Sequence, residues 1–155
     1  MPRWHFPKSR LQLPTCWGRC RVIKFPAVET GLLLRQIVYA ATCVHNTLGP
    51  GFLESIYSRA LLAELRSQGL STERERQIKI WHGSQVVGKH SLDLVVEATA
   101  VVELKANHGL IPIHLAQLRS YLRATDYPFG LLLNFGAAEF QWEVLHREIV
   151  AEKPE

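Results

Sequence analysis

Leu92-Asp93-Leu94-Val95-Val96-Glu97-Ala98-Thr99-Ala100-Val101-Val102-Glu103-Leu104-Lys105 reads as two apolar strands around a short turn, with three charged side chains set into them. Charge inside an apolar strand is expensive unless something pairs with it. Side chains alternate along a strand, so Glu103 and Lys105 share a face and Leu104 points away. The turn decides whether Asp93 joins them. A two-residue turn at Ala98-Thr99 sets Asp93 opposite Leu104 and separates the charges. A three-residue turn, Ala98-Thr99-Ala100, sets Asp93 opposite Lys105 and returns all three to one face. The sequence therefore predicts an odd-length turn or a bulge here.

Two chemistries suit the converged set. Two carboxylates supply hard oxygen ligands for Mg²⁺, and a lysine beside them orients water or stabilises developing negative charge. The alternative is a structural Asp/Glu–Lys ion pair.

Outward from the hairpin, the chain alternates between helical and strand periods. Leu34, Ile37, Val38, Ala41, Val44 and His45 recur at helical spacing, and Gly49-Pro50-Gly51 breaks the run. A second helix follows, with Leu53, Ile56, Tyr57, Ala60, Leu61 and Leu65 expected on its buried side and Gly69 as its stop. Gln77–Trp81 alternates, His82-Gly83-Ser84 is a turn, and Gln85–Val87 starts another strand with a bend at Gly88. Pro112 opens a helix through Leu122. Gly130–Phe135 is apolar throughout, as in a strand covered on both faces. Phe140, Trp142 and Val144 mark an edge strand. A right-handed crossover through the Ile113–Leu122 helix makes the Gly130 strand parallel to the Val101 strand. The expected fold is α/β, a mixed central sheet flanked by helices, in the order α-β-β-β-α-β.

The 155 residues, 47% hydrophobic and 21% charged, suit one core. No run approaches the roughly 18–20 apolar residues of a membrane span, so no membrane partner is expected. Three cysteines make no disulfide framework, which favours a reducing, cytoplasmic setting. The net charge of +4 is uneven. Residues 1–30 carry six Lys/Arg and one Glu, whereas residues 31–155 carry 12 Lys/Arg and 13 Asp/Glu. The basic pI thus belongs to the head and does not make the body a cationic nucleic-acid binder. With Pro2, Pro7, Pro14 and Pro26, the head reads as an irregular basic extension, and 31–155 as the folded domain.

Two further motifs carry polar groups to helix faces. In Gly51-Phe52-Leu53-Glu54-Ser55-Ile56-Tyr57, Glu54 and Tyr57 are helical neighbours. Glu54 is also what a first helical turn favours on dipole grounds alone. Gln117 and Tyr121 lie four apart on one face of the later helix. His114, near that helix's start, can reach a phosphate or serve simply as a polar helix-face residue.

Taken in order, these motifs resemble those of the GxxExxY proteins, a branch of the PD-(D/E)XK nuclease superfamily. Gly51-x-x-Glu54-x-x-Tyr57 is similar to the family's name-giving run. Leu92-Asp93-Leu94-Val95-Val96 resembles the strand with the metal-binding aspartate, and Val102-Glu103-Leu104-Lys105-Ala106 the ExK strand. Gln117-x-x-x-Tyr121 resembles the QxxxY helix of RecB-like nucleases. The resemblance spans roughly residues 32 to 150. It implies a restriction-endonuclease-like core and Mg²⁺-dependent hydrolysis of phosphodiester bonds in DNA, with Mn²⁺ as a substitute. Asp93 and Glu103 would be metal ligands, with the Leu104 carbonyl as a third. Lys105 would act on the attacking water, Glu54 would support the metal site, and Gln117 would steady it or touch a phosphate with Tyr121 beside it. A homodimer or partner protein is a further expectation, since the chain has no room for a separate DNA-gripping domain. A non-catalytic nucleic-acid-binding module or accessory subunit with the same fold is the alternative.

Overall fold

The computed structural model describes residues 28–147; residues 1–27 of the basic head, with Cys16 and Cys20, lie outside them, while its last three residues are helical rather than irregular. Two helices come first, α1 (Val28–Leu48) and α2 (Glu54–Ser67). Strands β1 (Thr72–His82), β2 (Gln85–Val96) and β3 (Ala100–Lys105) follow, then α3 (Pro112–Ala124), β4 (Phe129–Asn134) and β5 (Gln141–His146). The sheet runs β1-β2-β3-β4-β5, with β3 and β4 parallel and every other neighbour antiparallel. This is the mixed, helix-flanked sheet the periodicities predict, and β5 is its edge.

Each face of the sheet has its own core. On one, Leu34, Ile37, Ala41, Tyr57, Leu61 and Leu65 of α1 and α2 cover Leu94, Val102, Leu131 and Leu133. On the other, Leu118, Tyr121 and Leu122 of α3 cover Ile78, Leu92, Val95, Val101 and Leu132. That division explains why β3 and β4 are apolar at nearly every position. At Gly130 a side chain would run into Leu118 at 2.8 Å, so glycine lets α3 lie close to β4.

Four details depart from the sequence-based expectations. β1 begins at Thr72, well before Gln77: as an edge strand it tolerates the charged Glu73–Arg76 run with its side chains in water. The bend expected at Gly88 is a register shift between Ile80 and Trp81, where Ile80 pairs with Gly88 but Trp81 with Val86. Leu53 and Ile56 are exposed rather than buried, because α2 starts only at Glu54 and packs through Tyr57, Leu61 and Leu65.

The hairpin turn has the predicted odd length but sits one residue earlier. Val96 pairs with Ala100, so the turn is Glu97-Ala98-Thr99 and Asp93 falls in the row of Glu103 rather than Lys105. Glu97 (φ 51°) and Ala98 (φ 47°) are both left-handed, and the Thr99 amide donates to the Val96 carbonyl at 3.0 Å. Left-handed backbone strains a residue with a Cβ by roughly 1–2 kcal/mol. Ala98→Gly is expected to stabilise the protein by about 1 kcal/mol, read as a higher urea midpoint with an unchanged slope.

Candidate active site

The site lies where β2 and β3 part. Their pairing stops at Leu94↔Val102, whereas β1 follows β2 along the whole hairpin. In place of the next backbone acceptor, Asp93 Oδ2 accepts the Leu104 amide at 2.8 Å. The carboxylate thus takes over a ladder position and holds the fork open. An extended residue turns its N–H and C=O to the same edge, so the Leu104 carbonyl also faces the fork.

The alternation of β2 changes phase at this point. Leu94 and Val96 join the α1/α2 core, yet Leu92, which a regular strand would align with them, joins the α3 core. Leu92 and Asp93 therefore both face α3, as do Val95 and Val101. In the facing strand, Glu75 occupies the corresponding place between the pairs Arg74↔Leu94 and Arg76↔Leu92, and it adopts a left-handed φ of 55°. This phase change turns Leu92, and with it His90, toward α3, where regular alternation from Val95 and Leu94 already places Asp93 on the face of Glu103 and Lys105.

Glu103 is 4% exposed, and Lys105 Nζ donates to its Oε1 at 2.7 Å. The other oxygen, Oε2, is buried with no hydrogen-bond partner among the described residues. Burial first, and the Asp93 charge second, push the Glu103 carboxyl up to about 7 against the pull of Lys105. Asp93 is also raised, chiefly by burial, while the Leu104 amide, Lys105 and His90 pull it down. A buried carboxylate with a bare oxygen, beside a half-buried second one, wants a cation.

Around this centre stand the other predicted residues. Glu54 is exposed at the start of α2, and its charge reaches Glu103 as a weak repulsion. Gln117 Nε2 donates to the Tyr121 hydroxyl on α3. Burial, then the charges of Glu103 and Asp93, raise that hydroxyl to about 12. His114 is 9% exposed; its Nδ1 accepts the Ile111 amide at 3.4 Å and its Nε2 meets the Asn107 side chain at 3.3 Å, so it caps α3 and ties down the preceding loop. That arrangement spends both ring nitrogens within the protein.

Tyr57 accounts for the Gly51-x-x-Glu54-x-x-Tyr57 spacing. Its hydroxyl donates to the Gly49 carbonyl at 2.6 Å and accepts the Phe52 amide at 3.1 Å, and its ring stacks on Phe135 at 4.8 Å. Gly51 takes φ 118°, open only to glycine at little cost. The tyrosine thus pins the loop from which Glu54 begins α2. Tyr57→Phe is expected to lower stability by about 1–3 kcal/mol, by leaving both backbone groups short of a partner. Chemical denaturation at constant pH measures it.

Sequence reasoning missed two supports. His90 stacks on Tyr121 at 4.2 Å and its charge is felt at Asp93. A regular strand separates residues 90 and 93 onto opposite faces, so only the phase change could reveal it. Asn134, fully buried, accepts the Asn107 and Gly136 amides at 3.0 and 3.2 Å and donates to the Asn107 carbonyl at 2.9 Å. It fixes the loop leaving Lys105. A buried asparagine ending an apolar strand was the available signal. His45, buried at the end of α1, is spent on the Ala137 carbonyl at 2.9 Å.

Among the described residues, no three His, Cys, Asp or Glu side chains gather tightly enough to cage a metal. Mg²⁺ needs no such cage: it keeps several waters and takes one or two carboxylates. Asp93, the bare Glu103 Oε2 and the Leu104 carbonyl fit that requirement as a donor set. No helix among the described residues is long and apolar enough to cross a membrane.

The crystal structure of SSO0001 is similar at 22% identity and a TM-score of 0.49, over 78% of this chain and 59% of that one. The chain thus corresponds to about three-fifths of that protein's length. No curated protein matches. The family model of the PD-(D/E)XK nuclease superfamily matches residues 32–147, from α1 through β5, and the chain belongs to that superfamily.

Proposed function

We propose that the protein is a Mg²⁺-dependent nuclease of the GxxExxY, RecB-like kind that hydrolyses phosphodiester bonds in DNA, with Mn²⁺ as a substitute. The observation that carries this reading is the buried Glu103 Oε2, unpartnered beside Asp93. A structural ion pair would be expected to satisfy both oxygens, since a half-satisfied buried carboxylate is worse than an apolar residue.

Asp93, Glu103 and the Leu104 carbonyl hold the ion. When bound, Mg²⁺ polarises the phosphoryl oxygen and acidifies water. The Lys105 ammonium, freed from neutralising Glu103 alone, orients the attacking water and stabilises the charge growing on the phosphoryl group. Gln117 and Tyr121 line the α3 side of the fork, and Glu54 adds negative charge at its mouth. The expected work is DNA repair, recombination or defence.

A cleavage assay tests this on linear, circular and single-stranded DNA, with Mg²⁺, Mn²⁺ or EDTA. Cleavage that needs the metal and disappears in Lys105→Ala supports the reading. A folded protein that cleaves nothing overturns it. The second reading, an accessory subunit of a DNA-processing complex, is favoured by the apolar cluster beside Glu54: Phe52, Leu53 and Ile56 are 47%, 74% and 39% exposed. It predicts a stable complex with a partner and no cleavage by this chain alone.

A further inference from the structure

The β1–β2 hairpin carries a patch on the face turned away from α3. Ile78 and Ile80 pack toward α3, so Lys79 and Trp81, which alternate with them, point to the other face. Lys89 lies directly opposite Lys79 in the ladder, and Val86 directly opposite Trp81, so both share that face. The extra residue at the register shift, Val87, falls on β2 and leaves the alternation of β1 unbroken. The four side chains make two adjoining rows, a pair of ammoniums beside an aromatic and a valine. Both lysines are exposed, Trp81 is 58% and Val86 43% exposed, and none of the four joins either core.

Lys79 and Lys89 make no ion pair or side-chain hydrogen bond among the described residues, and Gln77–Ser91 contains no Asp or Glu. The other half of β1 is built differently: Glu73 answers Arg76 at 2.6 Å, and Glu75 answers Arg74. Like charges set directly opposite destabilise a hairpin unless an anion relieves them. Protection of an edge strand against aggregation accounts for one lysine on β1. It does not account for a second lysine across from the first, nor for a tryptophan left in water beside them. The patch also borders an open edge. β1 has no neighbour on its outer side among the described residues, so its outward backbone groups are free to pair with a further strand.

We propose that this face docks an extended acidic segment of a partner protein, added beside β1 as a sixth strand. A carboxylate of that segment sits against the Lys79–Lys89 pair, and an apolar side chain two residues away sits against Trp81 and Val86. Residues two apart on a strand share a face, so the added strand supplies this spacing without distortion. Main-chain pairing gives such a contact its affinity, and the lysine and tryptophan rows select the sequence. Charge complementarity carries the choice of partner: two unanswered ammoniums in an acid-free hairpin call for carboxylates. Asp93, Glu103 and Lys105 occupy the opposite face, so the patch is separate from the fork and the proposal stands apart from the nuclease reading.

Fluorescence anisotropy of a labelled peptide of alternating aspartate and leucine tests it, using the full chain in EDTA. A lysine–leucine peptide, a single-stranded oligonucleotide and phosphatidylserine-containing vesicles serve as competitors. The acidic peptide should bind and the basic one should not. Lys79→Glu/Lys89→Glu should weaken peptide binding by at least about tenfold and remove most of its salt dependence. Trp81→Ala should weaken it by about tenfold and leave the salt dependence in place. Peptide binding should also slow hydrogen exchange at the β1 amides between Gln77 and Trp81, which a loose charge attraction would not do. The three substituted positions are exposed, and matched thermal midpoints certify the fold; Lys79→Gln and Lys89→Gln replace a double variant that unfolds. No binding of the acidic peptide, unchanged affinity in the lysine variants, or unslowed exchange in β1 overturns the proposal. Tighter binding of the oligonucleotide or the vesicles, lost in the same variants, assigns the patch to another anion and overturns it as well.

Discussion

Asp93→Asn is expected to abolish metal-dependent cleavage, with kcat falling by about a thousandfold or more, while the protein stays folded. Asparagine keeps an oxygen that accepts the Leu104 amide, the bond Asp93 Oδ2 now makes at 2.8 Å, so the fork survives. It also relieves a repulsion, since the Asp93 charge is one of the forces raising Glu103. What disappears is one of two anionic donors for the cation. Charge stabilisation by a bound metal is worth several kcal/mol at the transition state, which converts to that loss of rate. Single-turnover cleavage of a labelled substrate, with circular dichroism of the same preparation, measures both halves. A variant that cleaves at more than a tenth of the wild-type rate would remove Asp93 from the chemistry. Asp93→Ala separates the two roles, because it loses the amide partner as well and should fall in stability.

The second large effect is on stability against pH. Glu103 titrates near 7 in the folded protein and at an ordinary value of 4.5 when unfolded. A carboxyl raised by folding favours the folded state only while it is protonated. Its contribution is whole below the unfolded value and is lost as pH climbs through the folded one. By pH 8 the burial of ionised Glu103 weighs against folding by roughly 3 kcal/mol. Asp93 is shifted the same way and adds to the trend. In EDTA, wild-type Tm should therefore fall between about pH 5 and pH 8. Glu103→Gln should flatten that profile and exceed the wild type at pH 8. Saturating Mg²⁺ should lift wild-type Tm most at the alkaline end, where both ligands are deprotonated, and leave Glu103→Gln nearly unmoved. Thermal unfolding across pH, with and without Mg²⁺, reads all of this. A Glu103→Gln protein less stable than wild type at pH 8 would show that the carboxylate is a structural anion.

The architecture was legible because strands and helices in this chain keep clean periods. The apolar run Gly130–Phe135, the crossover through α3 and the odd hairpin turn could all be read from spacing. The turn's placement could not. No glycine marks it, and the left-handed positions fall on Glu97 and Ala98, which propensity disfavours. The charged set was legible as well, because the odd turn and plain alternation put Asp93 on the face of Glu103 and Lys105. What periodicity conceals is the phase change at Leu92-Asp93, which turns Leu92 to the same side as Asp93. The same step hid His90, and the late start of α2 hid the exposure of Leu53 and Ile56. Local pattern specifies which face a regular strand offers; it does not record where tertiary packing exchanges the faces.

The parting of β2 from β3 has a mechanical consequence. Beyond Asp93, the β1–β2 hairpin has no third strand beside it among the described residues, and it leans on α3 through Ile78, Ile80 and His90. It is a cantilever clamped at Asp93 and propped near its middle. The prop and the clamp are fixed by packed side chains, whereas the tip from Trp81 to Val87 is exposed. Residues can be added or removed in matched pairs at that tip without altering the register at Asp93. Reach and stiffness of the arm are thus adjustable independently of the Asp93, Glu103 and Lys105 cluster at its root.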